Sequence, residues 1–135
     1  QGFTDDDAPN LVGLGASAIS SFPDLHVQNE KNAGRYRMRV SRGALATANG
    51  VRRTAQDRYR GAVVERLLCH GHARIGACLL AEVHPRLAPF TERGLASVDD
   101  GWLTILPDGL PYARTIAALF DPYRQDSQRR FSSAV

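Results

Sequence analysis

Residues 54–71, TAQDRYRGAVVERLLCHG, constrain the fold of this chain more than any other stretch, because they carry a helix start, a helix face and a helix stop. Thr54 is placed to cap the free N–H groups of a first turn, and Asp57 three residues on completes a capping box. Tyr59, Val63 and Leu67 then recur at i, i+4 and i+8, with Val64 and Leu68 widening the stripe. Gly71 supplies the left-handed stop. A helix with so wide an apolar stripe needs a partner surface, and the rest of the chain must provide it.

The following residues offer that surface. A second helical segment is predicted over about residues 74–83, weakened by Gly76 and stopped before Pro85. A third is predicted around 86–93, with Pro89 near its start. GLASVDDGWLTIL then reads as a hairpin, with β-forming residues on either side of an Asp100-Gly101 type I′ turn. Pro107, Asp108 and Gly109 break the chain. Pro111 suits the first turn of a last helix, whose Tyr112, Ile116, Leu119, Phe120 and Tyr123 form one apolar face. The expected fold is mainly α with a small β-hairpin: a winged-helix-like module over residues 51–135, preceded over 1–50 by an irregular segment with one orphan strand.

That first segment contains LVGLGASAIS, residues 11–20, in which Gly13, Gly15 and Ala18 match the spacing of a dinucleotide-binding fingerprint. The context does not fit. Three aspartates and a proline lead into it where a strand is required, and Pro23 stops any helix before its second turn. The stretch reads better as a short apolar strand whose glycines let something pack against the backbone. Farther on, RYRMRV alternates Arg35, Arg37 and Arg39 with Tyr36, Met38 and Val40, the period-2 pattern of a half-exposed strand. The chain opens on Gln1 and passes abruptly into the apolar segment, as a piece of a longer protein would.

Few residues suggest chemistry. Cys69, His70 and His72 form the only metal-like cluster, with Cys78 and His84 beyond, but the paired spacing of a structural zinc site is missing. Cys69 is expected to be a core thiol. Two cysteines cannot hold a four-cysteine iron–sulfur cluster, and they suggest a reducing compartment, the cytoplasm. No serine has a histidine–carboxylate partner nearby, so no catalytic residue is assigned. The net charge of +3 is mild, and no apolar run approaches the roughly 18 residues of a membrane span. A winged helix could instead serve as a nucleic-acid or protein-binding module, with Arg35, Arg37, Arg39, Arg52 and Arg53 on phosphates. However, RIGACLLAEV offers one arginine to read base edges, so no nucleic-acid partner is expected.

QGFT, LVGLGASAIS, QNEKNAGRY, DRYRGAVVERLLCHG, TIAALFDPY and the closing RRFSSAV occur in one order along nearly the whole chain. Together they resemble the C-terminal third of the oxygen-independent coproporphyrinogen III oxidases, radical S-adenosylmethionine enzymes of haem biosynthesis. The resemblance implies that residues 1–50 are the tail end of a radical-SAM barrel plus a connection, with 51–135 a C-terminal helical domain covering the substrate cavity. It implies a longer chain carrying a 4Fe–4S cluster and S-adenosylmethionine, which converts coproporphyrinogen propionates to vinyl groups with loss of carbon dioxide. The present residues would hold no cofactor alone. Gln1 and Ile19 match positions beside a second S-adenosylmethionine, Gln1 as a hydrogen-bonding group and Ile19 as an apolar wall. Thr115 and Ser133 depart from the family's polar amide and arginine. The implied partners are the N-terminal barrel and the porphyrinogen. Without the barrel, residues 1–22 are expected to be disordered, or ordered only through a second copy or a crystal neighbour, with self-association running through residues 11–20.

Overall fold

The computed structural model of the protein describes residues 8–124. They fall into two compact units divided between Arg58 and Tyr59.

The first unit is a three-stranded antiparallel sheet with one helix. Strands β1 (Ile19–Phe22) and β2 (Leu25–Asn29) form a tight hairpin. The helix α1 (Ala33–Ser41) then carries the chain back to β3 (Thr47–Arg52), which lies on the other side of β2. This corrects two expectations. The strand in LVGLGASAIS is not an orphan: Ile19 lies opposite Gln28 and Phe22 opposite Leu25. Its outer edge is partly covered as well, because Leu11 exchanges both backbone bonds with Ser21, at 2.8 and 2.9 Å. Residues 1–7 of the segment expected to be disordered lie outside the described residues.

RYRMRV is the second correction: it lies in α1 rather than in a strand. Asn32 accepts from the Arg35 N–H at 3.0 Å and caps the helix. Gly43, at φ +70°, takes the left-handed conformation just beyond it. No residue of α1 is buried. An alternating pattern identifies a strand only when one of its faces is buried, and here the exposed arginines fit a helix equally well.

The second unit has the winged-helix-like order expected. Helix α2 (Ala55–His70), whose first four residues precede the division, is followed by β4 (His72–Arg74), helix α3 (Ala77–Glu92) and the hairpin β5 (Ala96–Asp99) with β6 (Trp102–Ile105). β6 is the central strand of the sheet, between β4 and β5. The capping box forms as written: Thr54 N–H donates to the Asp57 carboxylate at 2.8 Å, and Asp57 N–H donates to Thr54 Oγ1 at 3.1 Å. Gly71 sits at φ +75° after α2, and Asp100 and Gly101 are at φ +43° and +76°, as a type I′ turn requires. The core is shared among Val63 and Leu67 of α2, Leu79, Val83 and Leu87 of α3, Leu103 and Ile105 of β6, and Ile116 and Phe120 near the C-terminal end.

Three local expectations are revised. Residues 77–92 form one helix, with Pro85 and Pro89 inside it. The two prolines lie four apart on the exposed side, so the carbonyls they cannot bond face solvent. Burial of Leu79, Val83 and Leu87, worth about 1.5–3 kcal/mol each, offsets the cost of about 3 kcal/mol per proline. The last helix is shorter than its sequence pattern. A 3₁₀ segment (Pro107–Tyr112) leads into a six-residue α4 (Ala113–Ala118), which puts Ile116 and Phe120 in the core but leaves Tyr123 70% exposed. Cys69 is half-buried rather than a core thiol. Two residues beyond Leu67, it lies about 200° around the helix from that core side chain.

Candidate functional site

The densest polar organisation in the first unit surrounds the small-residue loop before β1. Asn29, at the end of β2, donates from Nδ2 to the carbonyls of both Gly13 and Gly15, each at 3.1 Å. Gly13 N–H donates to Ser20 Oγ at 3.0 Å, and Gly15 N–H donates to the Tyr36 hydroxyl at 3.1 Å. Ser17 N–H donates to the Glu30 carbonyl at 3.0 Å, while Gln28 Nε2 donates to the Ser17 carbonyl at 3.1 Å. The loop is thus a folded element clamped by side chains from β1, β2 and α1.

This arrangement disposes of the dinucleotide reading. A phosphate-binding loop presents free N–H groups at the start of a helix. Here the N–H groups of Gly13, Gly15 and Ser17 are spent within the protein, and Ala18 is followed by a strand. Gly13 serves close backbone contact, as expected, whereas Gly15 is set apart by its φ of +105°, with nothing within 4 Å of where a Cβ would lie. A Cβ on Gly13 would lie 2.5 Å from the Ile19 carbonyl oxygen and 2.8 Å from its carbon. Gly13→Ala is therefore expected to cost about 1–3 kcal/mol, because backbone rather than a flexible side chain must yield. Denaturant unfolding monitored in the first unit measures it, and a change below about 0.5 kcal/mol would show that the loop has room.

Of the site residues read from the sequence, Ile19 is at the head of β1, opposite Gln28 and 39% exposed. Gln1 and Ser133 lie outside the described residues. Thr115 is exposed on α4. His70 and His72 adjoin, with ring centroids 6.3 Å apart, and His72 stacks obliquely near Trp102. Among the described residues, no group of three or more His, Cys, Asp or Glu is placed to hold a metal ion. The exposed side of α3 carries Glu82, His84, Pro85, Pro89 and Glu92. Arg86 donates to the Leu119 carbonyl at 3.0 Å, so little on that helix is suited to base edges.

The clamp residues Asn29 and Tyr36 have no chemical signature of their own in the sequence. Their roles are long-range hydrogen bonds, and their one sequence signal is membership of the QNEKNAGRY segment.

No family model matches the chain. The oxygen-independent coproporphyrinogen III oxidase of Bradyrhizobium diazoefficiens is 34% identical over 144 residues, covering 100% of this chain and 32% of that protein. The enzyme of the same name from Pseudomonas aeruginosa is 34% identical over 146 residues, again covering 100% of this chain and 32% of its own length. A solved structure of the coproporphyrinogen III oxidase of Escherichia coli, described as a radical SAM enzyme, superposes with a TM-score of 0.80 at 29% identity. That superposition covers 89% of this chain and 30% of the other. The chain is homologous to the C-terminal part of the oxygen-independent coproporphyrinogen III oxidases. It spans about a third of the length of the curated relatives it matches.

The Escherichia coli oxidase is described as a radical SAM enzyme, a class that implies an iron–sulfur cluster and S-adenosylmethionine. The described residues do not fit the cluster: the whole chain has two cysteines, one half-buried on α2 and one exposed on α3, and they are not part of a larger ligand group. No helix among the described residues is long and apolar enough to cross a membrane.

Electrostatically, one group in the coproporphyrinogen-oxidase-like sheet stands out. His26, in the central strand β2, is held below the ordinary histidine value of 6.5, first by burial and then by the nearby Arg53 guanidinium. The unfolded chain therefore takes up this proton at a higher pH than the folded one. The neutral ring contributes stability that is present in full above 6.5 and lost as the pH falls through the lowered folded value. The denaturant midpoint of the first unit is expected to fall on acidification below 6.5, and to fall less in His26→Gln. An identical acid response in that variant would remove His26 as its source.

Proposed function

We propose that this chain acts as the C-terminal part of an oxygen-independent coproporphyrinogen III oxidase, working with an N-terminal radical SAM portion in the cytoplasm. The reaction is an oxidative decarboxylation. Each propionate concerned loses a hydrogen atom to an S-adenosylmethionine-derived oxidant, then carbon dioxide and one electron to a separate electron acceptor, and becomes a vinyl group, giving protoporphyrinogen IX. The observation that carries this reading is the superposition on the Escherichia coli oxidase over 89% of the chain with a TM-score of 0.80.

The physical character of the two units supports it. Residues 59–124 contain a packed core, whereas residues 8–58 bury a single apolar side chain, Ala46. In that first unit Leu11, Val12, Leu14 and Ile19 are exposed at 42%, 66%, 87% and 39%. Apolar surface of this kind is stabilised when another surface covers it. In the proposed enzyme the cover is the preceding barrel; in its absence, residues 11–20 can recruit a second copy. Ile19 supplies an apolar wall beside S-adenosylmethionine, and Gln1 hydrogen-bonds that ligand. The helical unit 59–124 covers the porphyrinogen cavity. The clamp of Asn29 and Tyr36 acts through the loop, as a positioning device for Ile19.

The test is a hybrid oxidase in which this chain replaces the C-terminal third of the Bradyrhizobium diazoefficiens relative. Anaerobic assay should show formation of protoporphyrinogen IX, absent from the relative truncated at the same point. A hybrid that folds and carries its cluster but forms no product would overturn the reading.

A further inference from the structure

The strand register of the first unit places Ile19 and Ser21 of β1, His26 and Gln28 of β2, and Val51 of β3 on one face of the sheet. Arg53 continues that face: its N–H bonds the Asp24 carbonyl at 2.8 Å, extending the ladder one step past Leu25 and Arg52. This face is open at both rims, since Ile19 is 39% and Val51 67% exposed, while Ser21, His26 and Gln28 between them are half-buried.

Its polar groups are incompletely matched. The His26 Nδ1 atom is buried without a hydrogen-bond partner. A buried N–H with no acceptor is strongly disfavoured, so the ring proton belongs on Nε2, at the outer tip. His26 thereby presents a fixed N–H donor. Arg53 lies close enough to act on the ring by its charge, and its own guanidinium has no carboxylate within ion-pair distance among the described residues. Asp24, at the end of the same ladder, is exposed and makes no such pair among the described residues. A half-buried cation and a neutral N–H donor beside the apolar side chains of Ile19 and Val51 are complementary to an anion that carries apolar bulk. The planar fork of arginine suits a carboxylate.

We propose that His26 and Arg53 form a carboxylate-binding site on this face, with Ile19 and Val51 as its apolar walls. The inference rests on the function proposed above. In that setting the carboxylate is a propionate of the porphyrinogen, and the same chemistry is also offered by the amino-acid end of S-adenosylmethionine.

The experiment follows the imidazole signals of His26 by ¹H–¹⁵N spectroscopy, assigned by their loss in His26→Gln. Coproporphyrin III, its tetramethyl ester and S-adenosylmethionine are added in separate titrations. Coproporphyrin III is expected to shift these signals and the ester to leave them in place. Arg53→Gln should weaken the response at least tenfold and Arg53→Lys should weaken it less, with unchanged backbone spectra confirming the fold of each variant. An Arg53-dependent response to S-adenosylmethionine alone would uphold the carboxylate site and overturn its assignment to a propionate. No Arg53-dependent response to either probe would overturn the site itself. The hybrid oxidase reports on the proposed function separately, so a silent His26 in an active hybrid would sink this inference and leave that function standing.

Discussion

Phe120→Ala is expected to destabilise the second unit by about 3–5 kcal/mol, a large share of what a domain of this size possesses. Phe120 is fully buried, and it meets the core assembled by Leu67 of α2, Leu87 of α3 and Leu103 of β6. It follows the six-residue α4, which is too short to persist without tertiary contacts. Truncation therefore removes both the transfer energy of the ring and the anchor that holds α4 against the module. Collapse into the cavity is opposed by the hairpin, whose Asp100-Gly101 turn and β4–β6–β5 pairing fix Leu103 in place. Urea unfolding followed by far-UV circular dichroism measures the loss. A cost below about 1.5 kcal/mol would mean that the C-terminal segment is an appendage rather than part of the core.

The elements legible in the sequence are those whose signals are local. Thr54, Asp57 and Gly71 fix the ends of α2 through contacts within four residues, and Asp100-Gly101 fixes the hairpin through its own φ values. The winged-helix-like order and the homology to coproporphyrinogen oxidases were readable from such segments taken in sequence. Pro85 and Pro89 misled because their penalty depends on which side of the helix they occupy. That side is decided by the burial of Leu79, Val83 and Leu87 against residues far along the chain. RYRMRV misled because a segment with no buried face has no diagnostic period. The pairing of β1 depends on β2 and β3, and β3 is poor in strand signals, its sequence being TANGVR. The candidate site was legible only in part. Gly13 declared a close backbone approach, but the groups that clamp its loop are distant in sequence: Asn29 lies 16 residues from the Gly13 carbonyl it bonds, and Tyr36 lies 21 from the Gly15 N–H.

Hydrogen exchange is expected to separate the two units of this chain by two orders of magnitude or more in protection, corresponding to about 3 kcal/mol of local stability. Amides of Val63, Leu67, Val83 and Leu87 lie in helices whose apolar faces enclose a shared core, so they open only with that unit. Amides of β1 and β2 are hydrogen-bonded equally well, but the sheet they form buries only Ala46 and Ser20. Backbone bonds without an enclosing core contribute little net free energy, since water competes for them on opening. The clamp on residues 13–17 holds the loop's shape without changing this balance, because its bonds are at most part-buried and no apolar core encloses them. In the hybrid oxidase the exposed Leu11, Val12, Leu14 and Ile19 gain a cover, and protection across Ile19–Phe22 should rise toward that of the helical unit. Equal protection of the two units in the chain alone, at concentrations where it is monomeric, would contradict this account. It would show that the sheet of residues 8–58 is stable without the barrel that the proposed enzyme provides.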